Sequence, residues 1–437
     1  MNRAVALSNT VRDAISVNPV GDGAVIERTS FLSAEYRIAL PKTGQIISHG
    51  MMTHENAEAN PNAIAQVKVL ALLGAVLLVG SNSFVLSPIL SEVAAGLSTQ
   101  TYHVAWAISA FGAATALSAL TLAGMIDRMS VGRVLGGAAL LLAVAQVSSG
   151  LSQHWVWLCL SQALAGVAVG VLLPGSYATV TATAPKGREA ARLGVVLTGW
   201  ALSLVVAVPA AAFITEQFGW RMVYFLMAGL SVLVAGILVM LLSDVRGGMS
   251  TRTSPLRAFR LPGVWQLLAV MLVYMTAFYG CFAFFGVGVR TAFDLSAQGS
   301  GMFVMAYGVG FGVMGFVLGV ISPKITRGYL CLVLIAIATS YASWGLTLQS
   351  QISALAGTAI WGMLNQLGLN AMVVSLNRQA SDARGAVMGL NSAVTYSAVF
   401  AGPMIMGPIY AGFGFAAVAG FGAVLVMCGV IVSWRRA

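Results

Sequence analysis

Between Val67 and Trp434 the chain alternates between long apolar runs and short loops that carry most of the charge. A helix needs about 20 apolar residues to cross the ~30 Å hydrocarbon core of a bilayer. A helix that is apolar on every side is typical of a segment buried in protein or in lipid. The pattern therefore predicts twelve membrane-spanning helices, at residues 69–90, 103–125, 133–152, 155–178, 192–214, 221–242, 264–288, 300–321, 328–349, 353–375, 385–411 and 414–433.

The longest internal loop divides these helices into two sets of six. Residues 243–262 are polar and basic, and we expect them to form a cytoplasmic linker between a first bundle at residues 67–242 and a second at residues 263–437. Two six-helix repeats related by an axis along the membrane normal are a recurrent transporter architecture. We therefore predict an all-α membrane protein with two pseudo-symmetric six-helix bundles.

Residues 1–66 do not share this pattern, because they contain neither a periodic apolar segment nor the apolar core of a signal peptide. Two interpretations stay open. The segment is a disordered cytoplasmic extension, or the natural start is Met51 or Met52 and the upstream residues are a mis-annotated start. Peptides from residues 1–50 in a mass spectrum of the purified protein would eliminate the second interpretation.

Composition and charge agree with a membrane protein. The chain is 58% hydrophobic and 8% charged, whereas soluble domains have about 25% charged residues. After residue 66, sixteen Lys and Arg residues fall on one side of the predicted topology, and only Arg221 and Arg290 fall on the other. This positive-inside asymmetry predicts a multi-pass protein of the cytoplasmic (inner) membrane with both termini in the cytoplasm. It also argues against a nucleic-acid-binding protein, in which basic residues cluster on one soluble face.

Several motifs, in order along the chain, carry a resemblance to a known family. The loop after the second helix, from Gly124 through Asp127-Arg128 to Gly132-Arg133, resembles the G-x-x-x-D-R-x-G-R signature of the major facilitator superfamily, although its spacing differs. Four further elements resemble the drug- and sugar-efflux branch, which includes drug:H+ antiporter-1-like and arabinose-efflux-permease-like proteins: Ser83 through Glu92, Ala207-Val-Pro209, Phe218-Gly-Trp-Arg221 and Arg384 through Asn391.

The resemblance implies a transporter that works by alternating access and exports its solute. It implies that the loop after the second helix latches the two bundles together, so the gating candidates are Gly124, Asp127, Arg128, Gly132 and Arg133. A nutrient importer or uniporter on the same fold is the alternative, because direction depends on gradients rather than on fold.

Polar side chains inside apolar runs are costly in a membrane and are therefore candidates for the solute pathway. The candidate substrate-binding residues are Asn82, Ser83, Gln162, Tyr274, Tyr279, Asn365, Gln366, Asn370 and Asn391. Amides and aromatic rings suit a neutral sugar-like or amphipathic, drug-like solute. The same amides could instead join helices by hydrogen bonds. Pro209, Gly402 and Pro403 are candidate hinges.

The chain has few residues that could carry protons, catalyse a reaction or bind a metal. The seven acids after residue 67 lie in loops or at helix ends, so proton coupling through a rim acid such as Glu92 or Asp294, facilitation without protons, and a deeper acid all stay open. Neither the four His nor the four Cys residues form a catalytic or metal-ligating pattern. We therefore expect no enzyme, metal or cofactor, and a monomer whose partners are the lipid bilayer and a small molecule.

Overall fold

The computed structural model describes residues 61–122, 129–246, 261–321, 325–379 and 384–434, and these residues are almost entirely helical. The helices are α1 (Pro61–Phe84), α2 (Leu86–Gly96), α3 (Thr101–Thr121), α4 (Val131–Gly150), α5 (Trp155–Ala182), α6 (Glu189–Leu202), α7 (Val208–Phe218), α8 (Trp220–Leu242), α9 (Val264–Phe293), α10 (Ala297–Val320), α11 (Arg327–Ala342), α12 (Trp344–Thr347), α13 (Gln351–Gln379) and α14 (Arg384–Trp434). Ten spans in the described part are long and apolar enough to cross a membrane, and α11 is a shorter apolar helix. Of the predicted extension at residues 1–66, residues 1–60 lie outside the described residues, whereas residues 61–66 form the start of α1.

Helix α14 is two crossings joined at Gly414, whose positive φ of 74° interrupts the helix. Both arms pack on α9, and they run along it in opposite directions. The first arm places Gly402 beside Gly280 and Tyr410 beside Phe284, whereas the second arm places Phe415 beside Gly288, Gly422 beside Cys281 and Gly429 beside Val273. The chain therefore reverses at Gly414, as the predicted pair 385–411 and 414–433 requires.

The first crossing is longer than its predicted range of 69–90. Helix α1 ends at Phe84 and α2 continues from Leu86 to Gly96 after a one-residue break. Pro88 lacks an amide hydrogen and cannot donate to the carbonyl of Phe84, which explains the break there. Because α2 continues to Gly96, Glu92 lies inside a helix rather than in the loop beyond it.

The fifth crossing contains a π-helical segment, Ser203–Ala207, between α6 and α7. Pro209, near the start of α7, cannot donate a hydrogen bond to Val205 four residues earlier. A widened π turn is one way for a helix to accommodate such a missing bond. The predicted hinge at Pro209 therefore coincides with an irregular helix. Whether the segment moves stays a prediction.

Close helix packing depends on glycine at two of the predicted functional positions. A Cβ on Gly402 would lie 2.6 Å from the backbone nitrogen of Gly280, and one on Gly132 would lie 2.6 Å from the backbone of Leu242 and Ser243. Small residues allow such close approach of helices in a membrane. Gly402 therefore joins α14 to α9, and Gly132 joins α4 to α8.

The substitution Gly402→Ala should destabilise the protein by about 1–3 kcal/mol, because the new methyl group meets backbone that cannot move aside easily. Gly420→Ala, in the same helix but with open space around its Cβ position, is the matched control and should be neutral or stabilising. Thermal unfolding in detergent measures both. Equal unfolding temperatures for the two variants would contradict the packing role of Gly402.

Candidate functional site

The first group of predicted site residues forms a buried hydrogen-bond network within the first half of the molecule, α1–α8. Asn82 donates to the side-chain oxygen of Gln162 at 3.1 Å, and Gln146 donates to Asn82 at 3.5 Å. Ser231 donates to Gln146 at 2.8 Å, and Gln162 donates to Ser149 at 3.0 Å. The network joins α1, α4, α5 and α8, and every amide group in it has a partner.

These amides have little capacity left for a solute. Asn82 and Gln162 are 3% and 1% exposed, and Gln146 is completely buried. A fully bonded polar network in a low-dielectric interior makes one helix arrangement specific. This geometry favours an interhelical role for Asn82 and Gln162. Sequence reasoning missed Gln146, although an amide inside an apolar run was a visible signal.

A second network lies in the other half, α9–α14. The Tyr274 hydroxyl lies 2.9 Å from the carbonyl oxygen of Asn365 and 3.1 Å from its side-chain oxygen, and it donates toward both. The Asn365 amide donates to the Tyr307 hydroxyl at 3.0 Å. All three side chains are buried. The network therefore joins α9, α10 and α13 within one half.

The remaining predicted polar residues are placed differently. The side-chain oxygens of Gln366 and Asn391 are buried and have no partner among the described residues. Gln366 faces Gly315 of α10, and Asn370 follows one turn later on the same face. Asn391 lies three helical turns before Gly402 in α14. The Ser83 hydroxyl donates to the carbonyl of Val79 in its own helix.

The two halves meet at a cluster of aromatic rings, which we call the aromatic junction. Phe84 of the first half stacks on Tyr279 of the second, with ring centroids 6.3 Å apart, and contacts Phe282 edge-on at 5.0 Å. Trp200 packs edge-on against Phe84 at 5.8 Å and donates a hydrogen bond to the Tyr177 hydroxyl at 2.7 Å. The predicted residue Tyr279 therefore lies at the boundary between the halves.

The aromatic junction continues on both sides of this contact. Phe111 of α3 packs edge-on against Tyr396 of α14, and Phe278 stacks on Tyr307, which packs against Trp361. Charged side chains of the described helices lie near the helix ends, away from these rings. The rings therefore form a buried, uncharged cluster whose hydroxyl and indole groups are its polar atoms.

One end of the boundary is closed by an ion pair between the halves. Arg290, near the end of α9, pairs with Glu92 of α2 and also donates to the carbonyl of Leu295. A Cβ on Gly286 would overlap the carbonyl of Ser87, so the helices touch here. Three more hydrogen bonds cross between the halves at this end: Ser87 to the carbonyl of Phe282 at 2.5 Å, Ser300 to the carbonyl of Pro88 at 3.0 Å, and the amide of Gln298 to Glu216 at 3.0 Å.

The described residues of the predicted gating loop, Gly132 and Arg133, lie at the opposite end. Gly124, Asp127 and Arg128 lie outside the described residues. Gly132 and Arg133 begin α4, where the amide of Val131 donates to the carbonyl of Val245 at 2.9 Å. Gly132 packs on the end of α8 and Arg133 is exposed. These contacts lie within one half, so a latch between the halves at this position stays a prediction.

Comparisons with known proteins bear on the whole fold. The family described as the Major Facilitator Superfamily matches residues 72–403. A protein of Bacillus subtilis (strain 168), described as the uncharacterized MFS-type transporter YwfA, is 28% identical over 373 residues, which cover 83% of this chain and 90% of that protein.

Two solved structures extend the comparison. A bacterial homologue of the human lysosomal transporter Spinster, in an inward-facing and unoccupied conformation, has a TM-score of 0.67 at 16% identity, covering 86% of this chain and 96% of its own. The human organic anion transporter MFSD10 (TETRAN) has a TM-score of 0.59 at 14% identity, covering 86% of this chain and 100% of its own. At these identities the likeness establishes the fold, which confirms the predicted all-α architecture.

The substitution Gln162→Leu should lower stability by about 0.6–2 kcal/mol, because it preserves bulk but leaves the Asn82 amide without its acceptor. Gln366→Leu is the matched control, since its buried oxygen has no partner to lose, and we expect little change. Thermal unfolding of both variants in the same detergent makes the comparison. A larger loss for Gln366→Leu would refute the structural role of the first network.

Proposed function

Because this chain belongs to the Major Facilitator Superfamily, we propose that it moves an uncharged, amphipathic organic solute across the cytoplasmic membrane by alternating access. The chain is a multi-pass membrane protein, and its family consists of transporters of small solutes. The observation that carries the proposal is the aromatic junction, which lies between the two halves and has no charged side chain among its described members.

The chemistry of the aromatic junction supports an uncharged solute. Moving an ion out of water is costly unless an opposite charge or several hydrogen bonds replace its hydration. Phe84, Trp200 and Tyr279 offer apolar faces, and Tyr177 and Tyr396 offer hydroxyl groups. The neighbour MFSD10 is described as an organic anion transporter. In this chain the described basic residues lie near helix ends, which disfavours an anion at the junction.

The arrangement of contacts supports alternating access. Each half is joined internally by a buried amide network, so each half can move as one body. Among the described residues, the contacts between the halves are ring packing, one ion pair, a few hydrogen bonds and close helix packing, such as Gly112 of α3 against the backbone of Phe400 of α14. All of these non-covalent contacts can break and re-form. The π-helical segment before Pro209 packs on α10, since a Cβ on Gly308 would lie 2.7 Å from that of Leu204. This supports Pro209 as a hinge.

The proposed orientation in the membrane and the proposed direction of transport rest on the sequence. The positive-inside asymmetry supports a cytoplasmic location for the end that carries Arg133 and Arg378, and an outer location for the Glu92–Arg290 pair. Resemblance to the efflux branch supports export. Import or uniport on the same fold is the alternative, and the sensitivity of a deletion strain to sugars and antibacterial compounds would distinguish them.

Proton coupling through Glu92 is a second alternative. Its carboxylate pairs with Arg290, and its second oxygen is buried without a partner among the described residues. However, the side chains of Glu92 and Arg290 are 24% and 20% exposed while the pair is formed. A pair that is open to one compartment while it is formed favours a contact that closes this end of the boundary over a proton carrier.

The solute class can be tested by counterflow in proteoliposomes with a neutral sugar, an uncharged amphipathic aromatic compound, a lipophilic cation and an organic anion of similar size. We expect flux of the uncharged amphipathic compound. Phe84→Ala should raise its half-saturation concentration about tenfold, because ring stacking contributes about 0.5–1.5 kcal/mol beyond burial. Phe413→Ala removes an exposed ring and should leave the half-saturation concentration unchanged. Preferred flux of the anion would refute the proposed solute class.

The role of the Glu92–Arg290 pair in closing its end of the boundary can be tested with Glu92→Gln in lipid nanodiscs. Loss of a partly exposed ion pair should increase hydrogen exchange in α2 and the end of α9 by up to about fivefold, with no change in α4. Mass spectrometry of the exchanged peptides measures this. The exchanged pair Glu92→Arg with Arg290→Glu should restore protection. Unchanged exchange in Glu92→Gln would show that the pair does not hold this end closed.

A further inference from the structure

Three tyrosines bring hydroxyl groups to the aromatic junction, where the two halves meet. Tyr177 lies on α5 of the first half, and Tyr279 and Tyr396 lie on α9 and α14 of the second. In every pairing, the hydroxyl groups are close enough to interact electrostatically, and no hydrogen bond joins any two of them. The boundary therefore holds a cluster of three hydroxyl groups from three helices.

A hydrogen bond from Trp200 determines what Tyr177 can offer a ligand. The indole N–H of Trp200 donates to the Tyr177 hydroxyl oxygen at 2.7 Å. An indole nitrogen can only donate, whereas a hydroxyl group donates one proton and accepts through its oxygen. Because the oxygen of Tyr177 already accepts a bond, its O–H remains as a donor. A bond that a hydroxyl accepts also strengthens the bond that it donates.

Tyr279 and Tyr396 each add a hydroxyl group that forms no hydrogen bond with a described residue. Tyr396 is 6% exposed and Tyr279 is partly buried. Neither hydroxyl oxygen is sealed inside the protein, whereas that of Tyr341 is buried and has no partner. Since polar groups inside a protein normally have a hydrogen-bond partner, both hydroxyl groups are available to a ligand at the boundary.

The count of protons indicates a ligand that accepts hydrogen bonds. Trp200 and the three tyrosines hold one N–H and three O–H protons, and among these only the N–H proton has an acceptor. A carbonyl oxygen has two lone pairs and can accept from two hydroxyl groups at once. A cation would need a negative partner, and the aromatic junction has no charged side chain among its described members.

We propose that Tyr177, Tyr279 and Tyr396 bind a carbonyl oxygen of the transported solute, as in a ketone, an ester or an amide, while Phe84 and Trp200 pack on its apolar part. This inference rests on the proposed transport function and narrows its solute class. Because the three hydroxyl groups belong to different halves, one carbonyl oxygen can join both halves when solute is bound.

The test compares three uncharged compounds of nearly the same shape: benzophenone has a carbonyl group, benzhydrol has a hydroxyl group, and diphenylmethane has neither. Equilibrium dialysis against the full chain in nanodiscs measures binding, and empty nanodiscs correct for partition into lipid. We expect benzophenone to bind most tightly and diphenylmethane least. Tyr279→Phe and Tyr396→Phe should each weaken benzophenone binding about threefold to tenfold, the contribution of one hydrogen bond, and should leave diphenylmethane binding unchanged.

Tyr224→Phe is the matched control. It removes a buried hydroxyl group without a partner from α8, outside the aromatic junction, and should leave the binding of all three compounds unchanged. Illumination of bound benzophenone gives the location independently. Its excited carbonyl takes a hydrogen atom from a nearby C–H group, and the two carbon radicals then form a bond. Mass spectrometry of the peptides should place this cross-link in α5, α9 or α14.

The outcomes separate this inference from the proposed function. Equal binding of the three compounds, all weakened by Phe84→Ala, would overturn the carbonyl site and leave the aromatic solute site standing. Absence of specific binding by all three compounds would refute the proposed solute site and this inference with it. An equal loss in Tyr224→Phe and Tyr396→Phe would also overturn the proposal. If Tyr396→Phe unfolds, Tyr279→Phe decides alone, and undiminished benzophenone binding in that variant overturns it.

Discussion

Inside a bilayer, a polar group that lacks a protein partner has no water to replace it. This constraint explains why the amides of the first half converge on one another. Asn82, Gln146 and Gln162 come from three different helices, yet every one of their amide groups is bonded within the network or to Ser149 and Ser231. In the second half, polar groups are likewise paired by the hydrogen bonds among Tyr274, Asn365 and Tyr307. Each half is thereby held in one helix arrangement.

The boundary between the halves is built from different contacts. Aromatic rings meet at its centre, and the Glu92–Arg290 pair with a few hydrogen bonds closes one end. Ring packing and a partly exposed ion pair are worth little individually, whereas the hydrogen bonds donated by Ser87 and Ser300 are buried and must be replaced when the halves separate. The boundary therefore differs from the interior of each half in having no amide network across it among the described residues.

The candidate site was only partly predictable. Tyr279 was expected to bind solute, and it does lie at the boundary, whereas Asn82, Gln162 and Asn365 are bonded within their own halves. From the sequence, all of these residues are equally good candidates for the solute pathway, because a polar residue in an apolar run is costly wherever it points. The direction in which each side chain points depends on helix rotation and on neighbours that are distant in sequence. Phe84 and Phe282 carried no signal, because an aromatic ring in an apolar run is ordinary.

By itself the sequence determined that the chain crosses the membrane repeatedly and where most crossings begin and end, since run length and apolarity are local properties. Its long central loop and its ordered motifs indicated which fold these crossings form. Only the tertiary structure decided that α2 continues to Gly96, that a π turn precedes Pro209, and that Glu92 meets Arg290. Those features depend on a missing amide hydrogen and on contacts across the halves. The pairing of partners almost 200 positions apart follows from packing in three dimensions, which no local pattern records.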